Sequence, residues 1–302
     1  MQKQRKKIGA LGAAMLVIAL ASLGLAGSAQ AKLVEPFTKF QYCPWHNTEV
    51  AKCLYSVTNS GEVVLGSKKV PIVNPVLLQG GTSEENPTTH FSKFFAPTEG
   101  KPALQPVSQP VPGGLAGFVN CKTISNFILK ASCEAVFENG LTGVNSTLEL
   151  ARPASEILVS ENNLAGRTGV ALKMPVKVHL ENPLFGSNCY VGSSTSPIWW
   201  ELTSYKTNPP APNKPIEGAS GKVEFIEEGL MLRLNGTKLV DNAWAAPGVS
   251  GCGGFLVELA LNPILNAASG LPAAAGKNTA ILNNTIDVTS TAALEYIDEE
   301  NP

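Results

Sequence analysis

Pro175-Val176-Lys177-Val178-His179-Leu180-Glu181 decides how the rest of the chain is read. Val176, Val178 and Leu180 fall on one side of an extended backbone, and Lys177, His179 and Glu181 fall on the other, because successive side chains of a strand point to opposite faces. Helical winding would scatter the same residues around the axis, so the heptapeptide predicts a strand with one buried face. The same period of two recurs at 54–58, 62–65, 69–73, 147–151, 198–203, 222–226, 230–234 and 285–289. Between these runs lie Asn59-Ser60-Gly61, Gly80-Gly81, Glu138-Asn139-Gly140, Asn235-Gly236 and Gly253-Gly254, which read as turns. Many short strands with frequent turns predict a mainly β protein, an antiparallel sandwich or partly closed barrel.

Two short helices are expected as interruptions. One is at 124–131, from the spacing of Ile124, Phe127, Ile128 and Ala131. The other is near 255–268, with Phe255, Leu256 and Leu259 on one face and Pro263 expected to kink or shorten it. Residues 97–112 carry five Pro and residues 209–215 carry four. Both are expected to be loops, because Pro withdraws a ladder donor.

The N-terminus sets the compartment. Lys3, Arg5, Lys6 and Lys7 precede an apolar run through Leu25 and an Ala29-Gln30-Ala31 exit, which is the pattern of a secretory signal peptide. Residues 1–31 are therefore expected to be removed, leaving one secreted β-rich domain at 32–302 with no membrane association. The competing reading is an uncleaved anchor, since residues 8–26 are nearly long enough to span a bilayer.

All six Cys, at 43, 53, 121, 133, 189 and 252, lie beyond the leader, and an even count in an oxidising compartment predicts three disulfides. Proximity favours Cys43 with Cys53 and Cys121 with Cys133, leaving Cys189 with Cys252. The second pair demands a short helix and a turn back, because a continuous helix would hold its ends about 18 Å apart. Cys43-Pro44-Trp45-His46 with Cys53 imitates a soft metal site, but the paired-Cys spacing of zinc modules is missing and a disulfide loop is expected instead.

Without the leader the chain carries 19 basic and 24 acidic residues, a balance without the positive stripe that nucleic acid requires. Asp occurs only at 241, 287 and 298 and His only at 46, 90 and 179, so dense Ca²⁺ loops are excluded. No Ser sits in a nucleophile elbow, and His179 is expected to be a polar residue on the outer face of its strand. Glu181, Glu201, Glu224 and Glu258 could supply a glycosidase pair, with nothing to rank them. No pattern calls for a cofactor or a resident metal, and no catalytic residue is assigned. Trp199 and Trp200, adjacent on a strand, must point to opposite faces, so one of them is available to stack on a ligand. Glu295, Asp298, Glu299 and Glu300 read as a solvated tail.

Residues 174–184, followed by Gly186-Ser187-Asn188-Cys189-Tyr190, then Ala246-Pro247-Gly248 with Gly251-Cys252-Gly253, and finally 270–283, resemble a family of exported proteins abundant in actinobacteria. The resemblance is clearest in the second half of the chain. It implies secretion and a β-rich domain, and it carries over no catalytic or binding residue. The expected function is non-enzymatic, binding or structural, toward an extracellular or cell-wall ligand that the sequence does not name. The alternatives are a secreted polysaccharide hydrolase using a Glu pair and a self-assembling surface protein.

Overall fold

A computed structural model describes residues 33–254 and 258–301; the leader lies outside the described residues. In chain order the strands are β1 (Lys52–Leu65), β2 (Lys68–Ile72), β3 (Val76–Thr82), β4 (Ser92–Phe95), β5 (Ser108–Pro110), β6 (Asn145–Leu150), β7 (Leu158–Val159), β8 (Leu172–Glu181), β9 (Tyr190–Val191), β10 (Ile198–Leu202), β11 (Lys222–Ile226), β12 (Met231–Asp241), β13 (Val249–Ser250) and β14 (Thr279–Ser290). The helices are α1 (Phe127–Glu138), α2 (Glu161–Gly166), α3 (Glu258–Ser269) and α4 (Thr291–Glu300).

All described strand pairs are antiparallel, in a sheet of order β11-β12-β14-β1-β3-β4-β7-β8-β6-β5 that does not close. β2 adds to β1, β10 and β9 add to β8, and β13 adds to β9. The short β4 is the seam: two of its residues pair with β3 and two with β7. On one side of that seam lies a half built on β1, β12 and β14, and on the other a half built on β6 and β8. Buried side chains of both halves form one hydrophobic cluster, so the sheet folds back on itself in the manner of a sandwich. The alternation read at β8 is present: Val176, Val178 and Leu180 are buried, and Lys177, His179 and Glu181 are partly exposed.

Several expected turns are not turns. Asn59-Ser60-Gly61 lies inside β1, a single strand of 14 residues, and the register against β14 shifts between Thr58 and Ser60. Asn235-Gly236 likewise lies inside β12, with a shift between Asn235 and Thr237. Each is a β-bulge, where one extra residue bends a strand without ending it. Gly80-Gly81 belongs to the interior of β3, where glycine serves close packing. A Cβ at Gly80 would lie 2.6 Å from the Phe94 ring, and one at Gly81 would lie 2.7 Å from Val50.

The helices number four among the described residues, two more than expected. Asn126, Ser160 and Ser290 cap α1, α2 and α4 by accepting hydrogen bonds from the backbone N–H of the third helical residue. The acidic C-terminal residues are thus a capped helix with Ala293 and Leu294 buried, rather than a tail. α3 runs through Pro263. The backbone donor lost there would have served the carbonyl of Leu259, an exposed residue where water can substitute. Its buried face is Leu261, Leu265 and Ser269; Leu259 is 89 % exposed, and Phe255 and Leu256 lie outside the described residues. The proline-rich 97–112 stretch is more than a loop. Ala103, Leu104 and Val111 are buried, Leu104 bridges to Leu78, and the stretch contains the edge strand β5.

All six Cys pair as the spacing suggested: Cys43–Cys53, Cys121–Cys133 and Cys189–Cys252. Cys121 opens a short 3-10 turn and Cys133 lies in α1 beyond the Asn126 cap, which is the turn back that the second pair required. The first pair ties the N-terminal segment to β1, and the third ties the start of β9 to the end of β13. No helix among the described residues is long and apolar enough to cross a membrane.

Candidate functional site

The space between the two halves of the sheet is not filled. A cavity of about 90 Å³ lies among Val63, Leu65 and Leu282 of one half and Met174, Val178 and Trp200 of the other. Protein interiors seldom leave voids much larger than a water molecule. At about 24 cal/mol per Å³, an empty apolar space of this size costs roughly 2 kcal/mol of stability. Four residues, Ser56, Leu78, Leu172 and Leu239, line both this cavity and an adjoining cleft of about 460 Å³. The cleft runs between Leu164 of α2, Val223 and Leu232 of the β11–β12 hairpin, and Ile286 and Val288 of β14. The Lys52–Glu161 ion pair, at 2.6 Å, also lines it.

The bulges help to shape this interior. In β1 the inward residues are Leu54, Ser56 and Thr58 before the bulge but Val63 and Leu65 after it, so the extra residue moves the lining from even to odd positions. β12 does the same, from Leu232 and Leu234 to Leu239, while unbulged β14 keeps Leu282, Asn284, Ile286 and Val288 in phase.

Polar groups in the cavity divide into two kinds. Thr58 Oγ1 donates to Asn284 Oδ1 at 2.7 Å, Asn284 Nδ2 donates to the Leu282 carbonyl, and Gln109 Oε1 accepts from the amides of Val73 and Asn74. These are structural. In contrast, Trp200 Nε1 and Ser269 Oγ are buried without a hydrogen-bond partner among the described residues, and so is Thr82 Oγ1 in the cleft. A buried donor left unpaired costs about 1–3 kcal/mol, so each marks a position where an acceptor would be stabilising.

Lys68 is the one charged residue lining the cavity among the described residues. Its ammonium donates to the Gly117 carbonyl and lies 4.7 Å from the centre of the Phe118 ring, and burial pushes its pKa below the usual lysine value. The backbone places Ser269 beside it, since the amide of Ser67, the preceding residue, donates to the Ser269 carbonyl at 2.8 Å.

Trp199 and Trp200 do occupy opposite faces. Trp200 is 1 % exposed and lines the cavity, whereas Trp199 is partly exposed on the outer surface. Lys173 and Arg152 lie 5.3 and 5.7 Å from the centre of the Trp199 ring. Trp199 lines a separate cleft of about 290 Å³ with Glu201, Tyr205, Asp241 and Trp244. Burial raises the Asp241 pKa, but both of its oxygens already accept backbone amides, from Glu201 at 2.7 Å and Ala243 at 2.9 Å. Glu201 is paired with Lys173 at 2.6 Å.

The remaining carboxylates considered from sequence do not converge. Glu258 accepts from the Gly251 amide, and Glu224 stands opposite Arg233 across β11 and β12. Glu181 accepts from Thr147 and Ser108 on the outer face of β8. His179 Nδ1 is 3.8 Å from Glu181 and 3.7 Å from Glu149, with its ring stacked on Tyr190 at 4.4 Å. That places His179 on the outer face, with the cavity behind it. Glu149 is the acidic neighbour that sequence reading did not single out; its signal was the alternation of β6, which sets it diagonally across from His179.

In comparisons with known proteins, no family model, no curated protein and no solved structure matches the chain.

Proposed function

We propose that this is an exported, non-enzymatic binding protein that holds an apolar molecule between the two halves of its sheet. One observation carries the reading: an apolar cavity that adjoins a larger cleft, with Ser56, Leu78, Leu172 and Leu239 lining both, and holds Trp200 Nε1 and Ser269 Oγ without a hydrogen-bond partner among the described residues. The cleft's size lies within the range of small-molecule sites, and apolar walls with a few placed polar groups are their usual composition. A filled core would avoid both the cavity cost and the unpaired groups. Export is supported by three disulfides and by the leader pattern of residues 1–31. The related expectation that the chain belongs with exported actinobacterial proteins fits this role.

The hydrolase reading is supported by the cleft that brings Glu201 and Asp241 beside Trp199. It is the weaker of the two, because backbone amides hold both Asp241 oxygens and Lys173 holds Glu201. The test is titration of the purified mature protein with the fluorescent apolar probe N-phenyl-1-naphthylamine. Saturable binding of one probe per chain is expected, suppressed by Met174→Trp, which fills the cavity. Absence of saturable binding to the folded protein would overturn the reading.

A further inference from the structure

Resting on the cavity reading, we infer that the ligand is a long-chain carboxylate, its acyl chain in the apolar interior and its head at Lys68 and Ser269. Two independent observations converge on one end of the cavity. The first is charge: among the described residues Lys68 is the sole charged one of the lining, at the start of β2. The second is an unsatisfied hydroxyl: Ser269 is 2 % exposed, and its Oγ has no hydrogen-bond partner among the described residues. The Ser67–Ser269 backbone bond at 2.8 Å brings the two segments together, and the side chains of Lys68 and Ser269 both line the cavity.

A carboxylate suits this pair because it is acceptor-only, with two oxygens. One oxygen can accept from the Ser269 hydroxyl and the other from an ammonium N–H of Lys68 that the Gly117 carbonyl does not use. A neutral alcohol supplies no charge to Lys68. A cationic amphiphile would set like charges together. A bulky double-chain lipid is disfavoured by the volume, since the cavity is only about 90 Å³ and the wider space lies beyond Leu172 and Leu239 in the cleft. A single chain can run from Lys68 past Trp200 toward the cleft, where Leu164, Leu232 and Val288 continue the apolar wall.

The experiment is competition against bound N-phenyl-1-naphthylamine by palmitate, hexadecanol and methyl palmitate, on the parent, Lys68→Met and Ser269→Ala. Palmitate is expected to bind the parent roughly ten- to a hundredfold more tightly than the two neutral compounds, the size of a charge-assisted hydrogen bond. Lys68→Met should abolish that preference while leaving hexadecanol unchanged, and Ser269→Ala should reduce it. Equal displacement by palmitate and hexadecanol on the parent would overturn the head-group assignment while leaving the cavity reading intact. Failure of the probe itself to bind would instead overturn the cavity reading. If Lys68→Met does not fold, Lys68→Arg serves: it keeps the charge, so palmitate preference should persist, and its loss in a folded protein would count against the assignment.

Discussion

Replacing both Cys189 and Cys252 by Ala should cost more stability than removing either of the other two disulfides. The pair closes a loop with a sequence separation of 63, against 10 for Cys43–Cys53 and 12 for Cys121–Cys133. The chain-entropy relation, in which the constraint on the unfolded chain grows with the logarithm of loop length, gives roughly 4 kcal/mol for the long loop and roughly 3 kcal/mol for each short one. Before rounding, the difference is about 1.5 kcal/mol, a little over tenfold in the unfolding equilibrium. Burial of the sulfurs does not obscure it, because every pair includes at least one Cys that is 0 % exposed, so each double replacement excavates the core. Urea denaturation of the three double variants beside the parent, followed by tryptophan fluorescence, measures the order directly. Equal losses, or a larger loss for either short loop, would refute the loop-length argument. The third disulfide also pins β9 to β13, so its variant should show the faster amide exchange in that region.

Two further outcomes follow from charges and faces. Asp287 is buried against Arg233 at 2.7 and 2.9 Å and Lys39 at 2.6 Å; burial alone would raise its pKa, but these partners outweigh it and hold the carboxyl below 3.8. A depressed folded pKa means that Asp287 contributes stability above about pH 4, lost as pH falls through the folded value, so Asp287→Asn should flatten the acid limb of the stability profile and cost about 3 kcal/mol at pH 7. An unchanged acid limb would sink that account. His179→Gln should alter probe binding less than twofold, since His179 faces outward beside Glu149 and Glu181; a tenfold loss at unchanged folding would mean that the outer face is the functional one.

Much of this fold could be read from the chain because one-sided burial leaves a trace. β8 and β10 announce themselves by alternation, the opposite faces of Trp199 and Trp200 follow from adjacency, and the three cystine pairs follow from spacing. Asn-Gly and Asn-Ser-Gly misled because the same backbone permissiveness that allows a turn also allows a bulge, and only the partner strand decides between them. β3 was missed because its glycines, chosen for room beside Phe94 and Val50, look like punctuation. The cavity left no sequence signal at all. Its walls come from strands far apart in the chain, and a lining leucine alternates just as a packed one does. Lys68 reads as an ordinary solvated hairpin residue until Phe118 and Ser269 are seen around it.

The paired bulges make the interior depend on residue count as well as residue kind. They flank β14 from both sides at Asn283 to Thr285, so the two neighbouring strands change phase together while β14 does not. This acts like a reading frame. Deleting Asn59, an exposed position, would set Thr58 opposite Asn284 next to Ser60 opposite Asn283 and leave both arms of β1 facing as they do now, whereas deleting a residue inside an arm would turn part of that arm over. Single-residue length changes within the arms, away from the two bulge sites, are therefore the ones that exchange lining residues for outward-facing ones.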